Sequence, residues 1–145
     1  MVAAVTDLGA IGIDVEDGRA ERSFDEIATK IFGYSEQDAV RRDGKPAFYR
    51  IWGLREAFAK AADQGFAGVL SSTDRFAGAA DRFVLDTEQR RWIFQFDRYR
   101  DAYGVALALG VAPERPIDDI SAALPQDLTT FPRRRNEASP RATSP

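Results

Sequence analysis

The sequence predicts an α+β fold in which a small antiparallel sheet packs against one long helix and several short helices. Three observations support this prediction. Apolar residues recur at three- and four-residue steps from Pro46 to about Ala62, which is typical of an amphipathic helix. Short apolar segments bounded by polar turns lie on both sides of this helix and predict strands. Of the 145 residues, 44% are hydrophobic, which is enough for one compact core.

The predicted strands begin at the start of the chain. Residues 2–5 and 10–16 are predicted to form two short strands, and the intervening residues 6–9 contain an aspartate and a glycine that suit a tight turn. We therefore expect an N-terminal hairpin. Further strands are predicted at residues 82–85 and 91–96. Residues 102–109 are apolar enough for a third, buried strand, and their periodicity also allows a short helix.

Two short helices are predicted between the hairpin and the long helix. Ser23 is a candidate N-cap, and Glu26 three residues later completes a capping box. Gly33 is expected to end this helix, and Ser35 to begin a second one that runs to about Arg42. The predicted domain covers residues 1–112, and residues 113–145 are expected to form an irregular tail rich in proline and arginine.

The composition excludes several kinds of chemistry. The chain has no cysteine and no histidine, which excludes disulfides, thiolate zinc sites, a cysteine nucleophile and any Ser-His-Asp triad. A metal would have to be bound by oxygen ligands, which favours a hard cation such as Mg²⁺. The net charge of -3 argues against nucleic-acid binding. Because no signal peptide or membrane-spanning run is recognised, we expect a cytoplasmic protein without a membrane partner.

Two carboxylates lie on the second predicted strand. Asp14 and Glu16 are two residues apart and should point to the same side, about 7 Å from each other. Both can therefore reach one cation. Their neighbours Ile11, Ile13 and Val15 are expected to face the core. Alone, such a pair is more often the solvated side of a strand than a metal site.

A third carboxylate lies on the long helix. Glu56 is in the middle of an otherwise apolar segment, and Lys60 follows it by four residues. This spacing also suits an ordinary surface ion pair, which stabilises a helix by only a few tenths of a kcal/mol. Trp52 lies one turn earlier on the helix, and a tryptophan at such a position more often belongs to the core than to a functional site.

The order of these motifs resembles the 4′-phosphopantetheinyl transferase superfamily. The strand reads G-I-D-V-E, a later segment reads F-G-Y-S-E, and the helix continues from F-Y-R-I-W into R-E-A-F-A-K. The similarity extends from about Val2 to Gly65, and more faintly to Leu109. Because Val15 alone separates the two acids and Trp52 is present, the chain is closer to the second lobe of the two-lobed, surfactin-synthetase-type enzymes than to the short trimeric synthases.

The resemblance implies transfer of 4′-phosphopantetheine from coenzyme A to a serine of an acyl, peptidyl or polyketide carrier protein. It implies that Asp14, Glu16 and Glu56 bind Mg²⁺, and that Glu56 helps to deprotonate the serine. Lys60 would act in catalysis and bind a phosphate or the pantetheine end of coenzyme A. Arg55 stands where the family usually has lysine, and is expected to bind phosphate as well. Glu36, which matches the family glutamate, would have a structural role near the helices that bind the carrier.

The resemblance also implies that this chain lacks part of the coenzyme A site. In two-lobed relatives, coenzyme A lies between two lobes, and the first lobe supplies basic residues and a histidine. We expect this chain to contain only the second lobe, so that it is a fragment, a homo-oligomer that recreates the cleft, or a degenerate copy. The alternative function is a non-catalytic module that binds coenzyme A or a carrier protein. A third alternative is an α+β domain in which the acidic side chains are ordinary solvated surface groups without a function.

Overall fold

The structure, a computed structural model, describes residues 3–71, 74–78 and 80–128. Within these ranges it confirms the α+β class. The strands are β1 (Ala10–Asp17), β2 (Arg82–Asp86), β3 (Arg91–Tyr99) and β4 (Tyr103–Val111). The helices are α1 (Phe24–Ile31), α2 (Tyr34–Asp43), α3 (Lys45–Ala61), α4 (Gly65–Ser71) and α5 (Ile117–Ala123).

The sheet has the strand order β1-β4-β3-β2, and all its pairings are antiparallel. The predicted N-terminal hairpin is therefore wrong. Residues 3–9 form no strand, and position 2 lies outside the described residues. β1 instead pairs with β4, with Asp14 opposite Ala106 and Glu16 opposite Gly104. This pairing places β1 beside a strand that is buried over most of its length.

The main core lies between α3 and one face of the sheet, which we call the inner face. Phe58 of α3 packs edge-on against Trp92 of β3, with ring centroids 4.8 Å apart. Phe94 and Phe96 extend this layer along β3. The long amphipathic helix predicted at 46–62 is confirmed, because its apolar positions meet this aromatic surface.

The opposite face of the sheet, the outer face, is covered by α5. Ile120 and Leu124 join a second buried cluster with Ile93, Leu107 and Leu109. The prediction of an irregular tail from residue 113 is therefore wrong for residues 117–123, which form a helix that buries Ile120 against the sheet. Residues 129–145 of that predicted tail lie outside the described residues.

The orientation of β1 is opposite to the prediction. Asp14 and Glu16 are buried on the inner face, under α3, whereas Val15 on the outer face is 39% exposed. Ile11 and Ile13 share the outer face and are partly buried. Since both faces of this sheet are covered, apolar alternation alone does not say which face meets the long helix.

The ends of the short helices differ from prediction in their capping. The Ser23 side chain makes no cap hydrogen bond at the start of α1. Gly33, not Ser35, is the N-cap of α2, and the free N–H groups of Ser35 and Glu36 donate to Asp74 at 2.8 and 2.9 Å. The glycine-containing helix α4 was not predicted. No helix in the described ranges is both long and apolar enough to span a bilayer.

Candidate active site

The candidate site forms where α3 packs directly on β1. A Cβ atom added at Gly12 would lie 2.1 Å from the carbonyl oxygen of Ala57 and 2.6 Å from the amide nitrogen of Ala61, so only glycine permits this approach. One turn earlier, Gly53 lies opposite Asp14, whose Oδ2 would be 3.6 Å from an added Cβ. The two glycines bring the helix backbone close to the strand that carries the acids.

The β1 carboxylates are almost fully buried beneath α3. The side chain of Asp14 is 10% exposed and that of Glu16 is 11% exposed. Asp14 Oδ1 accepts a hydrogen bond from Lys60 Nζ at 2.6 Å. Asp14 Oδ2 is buried and has no hydrogen-bond partner among the described residues. A buried carboxylate oxygen without a donor is costly, and a cation would satisfy it.

The three acids influence one another electrostatically. Burial, and next the charge of Asp14, raise the pKa of Glu56, while Lys60 and Arg22 partly offset this. Burial and Asp14 also raise the pKa of Glu16, with a further contribution from Glu56. Carboxylates raise each other's pKa in this way when they share a desolvated site. Asp14, Glu16 and Glu56, predicted from separate motifs, thus lie in one electrostatic cluster.

Two cations from different parts of the chain partly neutralise this cluster. Lys60 Nζ contacts Asp14, lies 4.0 Å from Glu56 Oε2 and donates to the carbonyl of Ile13 at 3.3 Å. Arg22 lies 3.3 Å from Glu16 Oε2. The sequence identified Lys60 but not Arg22, because Arg22 lies between β1 and α1 and belongs to none of the recognised motifs.

Trp52 connects the aromatic core to the acids. Its indole stacks on Phe48 with centroids 5.9 Å apart, as expected of a core residue. It also lies close enough to Glu16 to lower the pKa of that carboxyl, against the larger effect of burial. Trp52 therefore borders the acid cluster in addition to its packing role.

The donor set suits a hard divalent cation. It consists only of carboxylate oxygens, the ligands that Mg²⁺ prefers, and one of them lacks a partner. As the side chains stand, no group of three or more potential ligand side chains in the described ranges is arranged to hold a metal ion. The Lys60 ammonium instead lies against Asp14. The residues fit Mg²⁺ in charge and chemistry, and coordination would require these side chains to reorient.

The structure places Arg55, which was predicted to bind phosphate, away from the acid cluster. Its side chain is fully buried, and its guanidinium donates to Glu36 Oε2 from Nε at 3.1 Å and to the carbonyl of Val69 from NH1 at 2.7 Å. As the side chain stands, its guanidinium is not exposed to solvent. Arg55 lies one residue before Glu56 on α3, but it points away from the acid cluster.

Glu36 is equally buried, and its contacts are those of a residue that supports the fold. Besides Arg55, it accepts hydrogen bonds from the backbone N–H groups of Gly33, Arg75 and Phe76. These bonds join the start of α2 to the segment at 74–76. Glu36 therefore organises the scaffold behind α3.

Comparison with known proteins agrees with the resemblance in sequence. The family model described as the 4′-phosphopantetheinyl transferase superfamily matches residues 10–108. The chain therefore belongs to this superfamily, a class of enzymes that modify carrier proteins.

Among solved structures, the chain is similar to the crystal structure of Thermotoga maritima holo-[acyl-carrier-protein] synthase (AcpS), with 20% identity and a TM-score of 0.46. The match covers 72% of this chain and 64% of the Thermotoga maritima protein. The chain therefore spans less than two thirds of the length of that protein. No curated protein matches the sequence.

Proposed function

We propose that this protein is a magnesium-dependent 4′-phosphopantetheinyl transferase that acts on acyl, peptidyl or polyketide carrier proteins, with coenzyme A as co-substrate. One observation carries the proposal. The carboxylates of Asp14, Glu16 and Glu56 and the ammonium of Lys60 meet at the contact of β1 with α3, in a chain of this superfamily. The cytoplasmic location expected from the sequence remains part of the proposal.

In the proposed reaction, the carrier serine oxygen attacks the β-phosphorus of coenzyme A. A new phosphorus–oxygen bond forms while the bond to adenosine 3′,5′-bisphosphate breaks. Glu56 would accept the serine proton, and its raised pKa supports this role because burial makes the carboxylate a stronger base. Lys60, which is 49% exposed, would bind phosphate oxygens. Arg55 takes no part, because it is buried on Glu36.

Asp14, Glu16 and Glu56 are the residues that would hold Mg²⁺. When bound, the ion would neutralise charge on the phosphoryl oxygens, usually the main catalytic contribution in such transfers. The Lys60 ammonium would then leave Asp14 and become available to the substrate, because Lys60 and Mg²⁺ compete for the same carboxylate.

The direct test is to incubate the protein with coenzyme A, Mg²⁺ and an apo carrier protein and to measure the intact mass of the carrier. We expect a gain equal to one phosphopantetheine, and release of adenosine 3′,5′-bisphosphate. Absence of any gain at stoichiometric enzyme would contradict the proposal.

The Glu56→Gln variant sharpens this test. It keeps the shape of the side chain but removes its charge and basicity, so we expect transfer to be lost while circular dichroism stays unchanged. Glu88→Gln, at an exposed position between β2 and β3, is the matched control and should transfer at the wild-type rate. Equal activity in both variants would remove Glu56 from the mechanism.

A second candidate function is a module that binds coenzyme A or a carrier protein without catalysis. It is favoured by the contact of Lys60 with Asp14 and by the absence, in the described part of the chain, of an acid trio already arranged for a metal. Calorimetry distinguishes the two functions. Carrier binding that is insensitive to Mg²⁺, together with no transfer, supports the binding module.

We also propose that a second copy of the chain, or a separate lobe, completes the coenzyme A site. The support is the resemblance to two-lobed relatives, in which coenzyme A lies between two lobes. The exposed Val15 lies on the outer face, opposite to the acids, and does not support this proposal. Light scattering with and without coenzyme A tests this. A monomer that transfers phosphopantetheine at a normal rate would show that no partner is needed.

A further inference from the structure

Arg22 lies at the rim of the acid cluster, and neither the motifs nor the family match gives it a role. Its guanidinium is 3.3 Å from Glu16 Oε2 and 5.8 Å from the centre of the Tyr49 ring. The side chain is 41% exposed, whereas that of Glu16 is almost buried. Arg22 therefore contacts the cluster from the solvent side.

The backbone that carries Arg22 is held in place on both sides of the turn after β1. Gly18 N–H donates to the carbonyl of Ala102 at 2.7 Å, and Tyr49 Oη donates to the carbonyl of Ala20 at 2.8 Å. The Arg22 carbonyl accepts from Phe24 N–H at 2.8 Å. A change of partner by Arg22 therefore needs only rotation of its side chain.

Other arginines near this turn are not equivalent. Arg19 forms two hydrogen bonds with Asp17, both at 2.9 Å, and a third with the hydroxyl of Tyr103. In contrast, Glu16 is the single ion-pair partner of Arg22 among the described residues. Arg22 is thus the arginine here whose pairing depends on the charge of the site.

The charge balance of the site sets that pairing. Three carboxylates outnumber the two cations, Lys60 and Arg22, so the cluster carries a net negative charge and retains both. A divalent cation bound to the acids would reverse the sign of the net charge. The guanidinium would then be repelled, while a phosphate group entering the site would attract it.

We propose that Arg22 is a substrate-binding residue that pairs with Glu16 in the free protein and moves to the pyrophosphate of the substrate when a divalent cation neutralises the acids. This inference rests on the proposed function, since it takes coenzyme A as the source of the pyrophosphate. It predicts that removing the guanidinium changes two affinities in opposite directions.

The test uses Arg22→Gln. Binding of Mn²⁺ alone, followed by electron paramagnetic resonance, should tighten by about two- to fivefold, because a competing cation is removed from Glu16. Binding of coenzyme A at saturating Mg²⁺, measured by calorimetry, should weaken by about tenfold or more, as expected for a lost charged hydrogen bond. Arg22→Lys should restore part of the coenzyme A affinity, because it keeps the charge without the planar fork.

Arg41→Gln is the control, because Arg41 is an exposed arginine of α2 that pairs with Asp38. It should leave both affinities unchanged. Unchanged or weaker Mn²⁺ binding by Arg22→Gln, or unchanged coenzyme A binding, would overturn the inference, as would absence of Mn²⁺ binding by the wild type. A wild-type protein that binds Mn²⁺ and coenzyme A but transfers nothing contradicts the proposed function only, and the two affinities still decide the role of Arg22.

Discussion

Replacing Gly12 with alanine tests whether the close packing of α3 on β1 creates the site. The added Cβ would lie 2.1 Å from the carbonyl oxygen of Ala57, and real Cβ contacts essentially never fall below 3.0 Å. The neighbouring atoms belong to the helix backbone, so no side-chain rotation can relieve the clash. The helix would have to move away from the strand by about 1 Å.

Two effects on stability oppose each other in this variant. Overpacking of this kind costs about 1–3 kcal/mol. Alanine also restricts the unfolded chain, which stabilises by about 0.4–1 kcal/mol. The clash involves two backbone groups, so overpacking should dominate, and we expect a net loss of about 1–2 kcal/mol. Because Glu56 moves with the helix while Asp14 stays on the strand, transfer should fall on the order of 100-fold.

Urea denaturation measures the first effect, and the carrier mass assay measures the second. The m-value should stay constant, since the same surface is exposed on unfolding. Gly78→Ala is the matched control, because an added Cβ there meets no atom within 4 Å. A Gly12→Ala protein as stable and as active as this control would refute the packing argument.

Three further predictions concern charged groups. Arg55→Ala should lower the free energy of unfolding by about 3–5 kcal/mol in chemical denaturation, because it leaves the buried carboxylate of Glu36 without its cation. Glu56→Gln should raise the free energy of unfolding at pH 7 by about 0.5–1 kcal/mol. Burial and Asp14 raise the pKa of Glu56, so the native state prefers the protonated form, and the advantage of glutamine should vanish as the pH falls and Glu56 itself becomes neutral. Asp74→Ala should cost about 1 kcal/mol by loss of the α2 cap. Although burial raises the pKa of Asp74, its hydrogen bonds to the start of α2 lower it overall, so denaturation below about pH 4 should show a smaller difference from wild type.

Periodicity predicted the elements that bury one continuous apolar surface. The long helix and the strands β2, β3 and β4 were located within a few residues, since each carries its own apolar pattern. The hairpin at the start of the chain was not formed. The pairing partner of β1 is decided by burial against β4, which lies more than 80 residues further along the sequence and leaves no local trace.

The position of Arg55 could have been predicted better from the sequence. It lies four residues after Ile51 and four before Ala59, and both of these are buried. An arginine at this spacing falls on the buried face of an amphipathic helix. The resemblance to a lysine-containing motif suggested a phosphate ligand instead. Its partner, Glu36, is 19 residues earlier in the chain, and no sequence pattern connects the two.

The position of Arg22 beside Glu16, in contrast, could not have been predicted from the sequence. It lies in a turn without periodicity, six residues after Glu16, and only the fold brings the two side chains together. The acids themselves were predictable because recognised motifs contain them, and strand periodicity placed Asp14 and Glu16 on one face without saying which face meets the helix. A cation that reaches the site from a connecting segment has no such constraint.

The position of Glu56 is fixed by contacts that take no part in the proposed chemistry. Successive residues on a helix point about 100° apart, so Arg55 and Glu56 face different neighbours. Arg55 ties α3 to α2 and α4 through Glu36 and the Val69 carbonyl, while Gly12 and Gly53 allow the other side of α3 to lie on β1. The helix is thus held from two directions. Glu56 can remain beside two other carboxylates, despite their mutual repulsion, because movement of α3 away from β1 would break the buried contacts behind it.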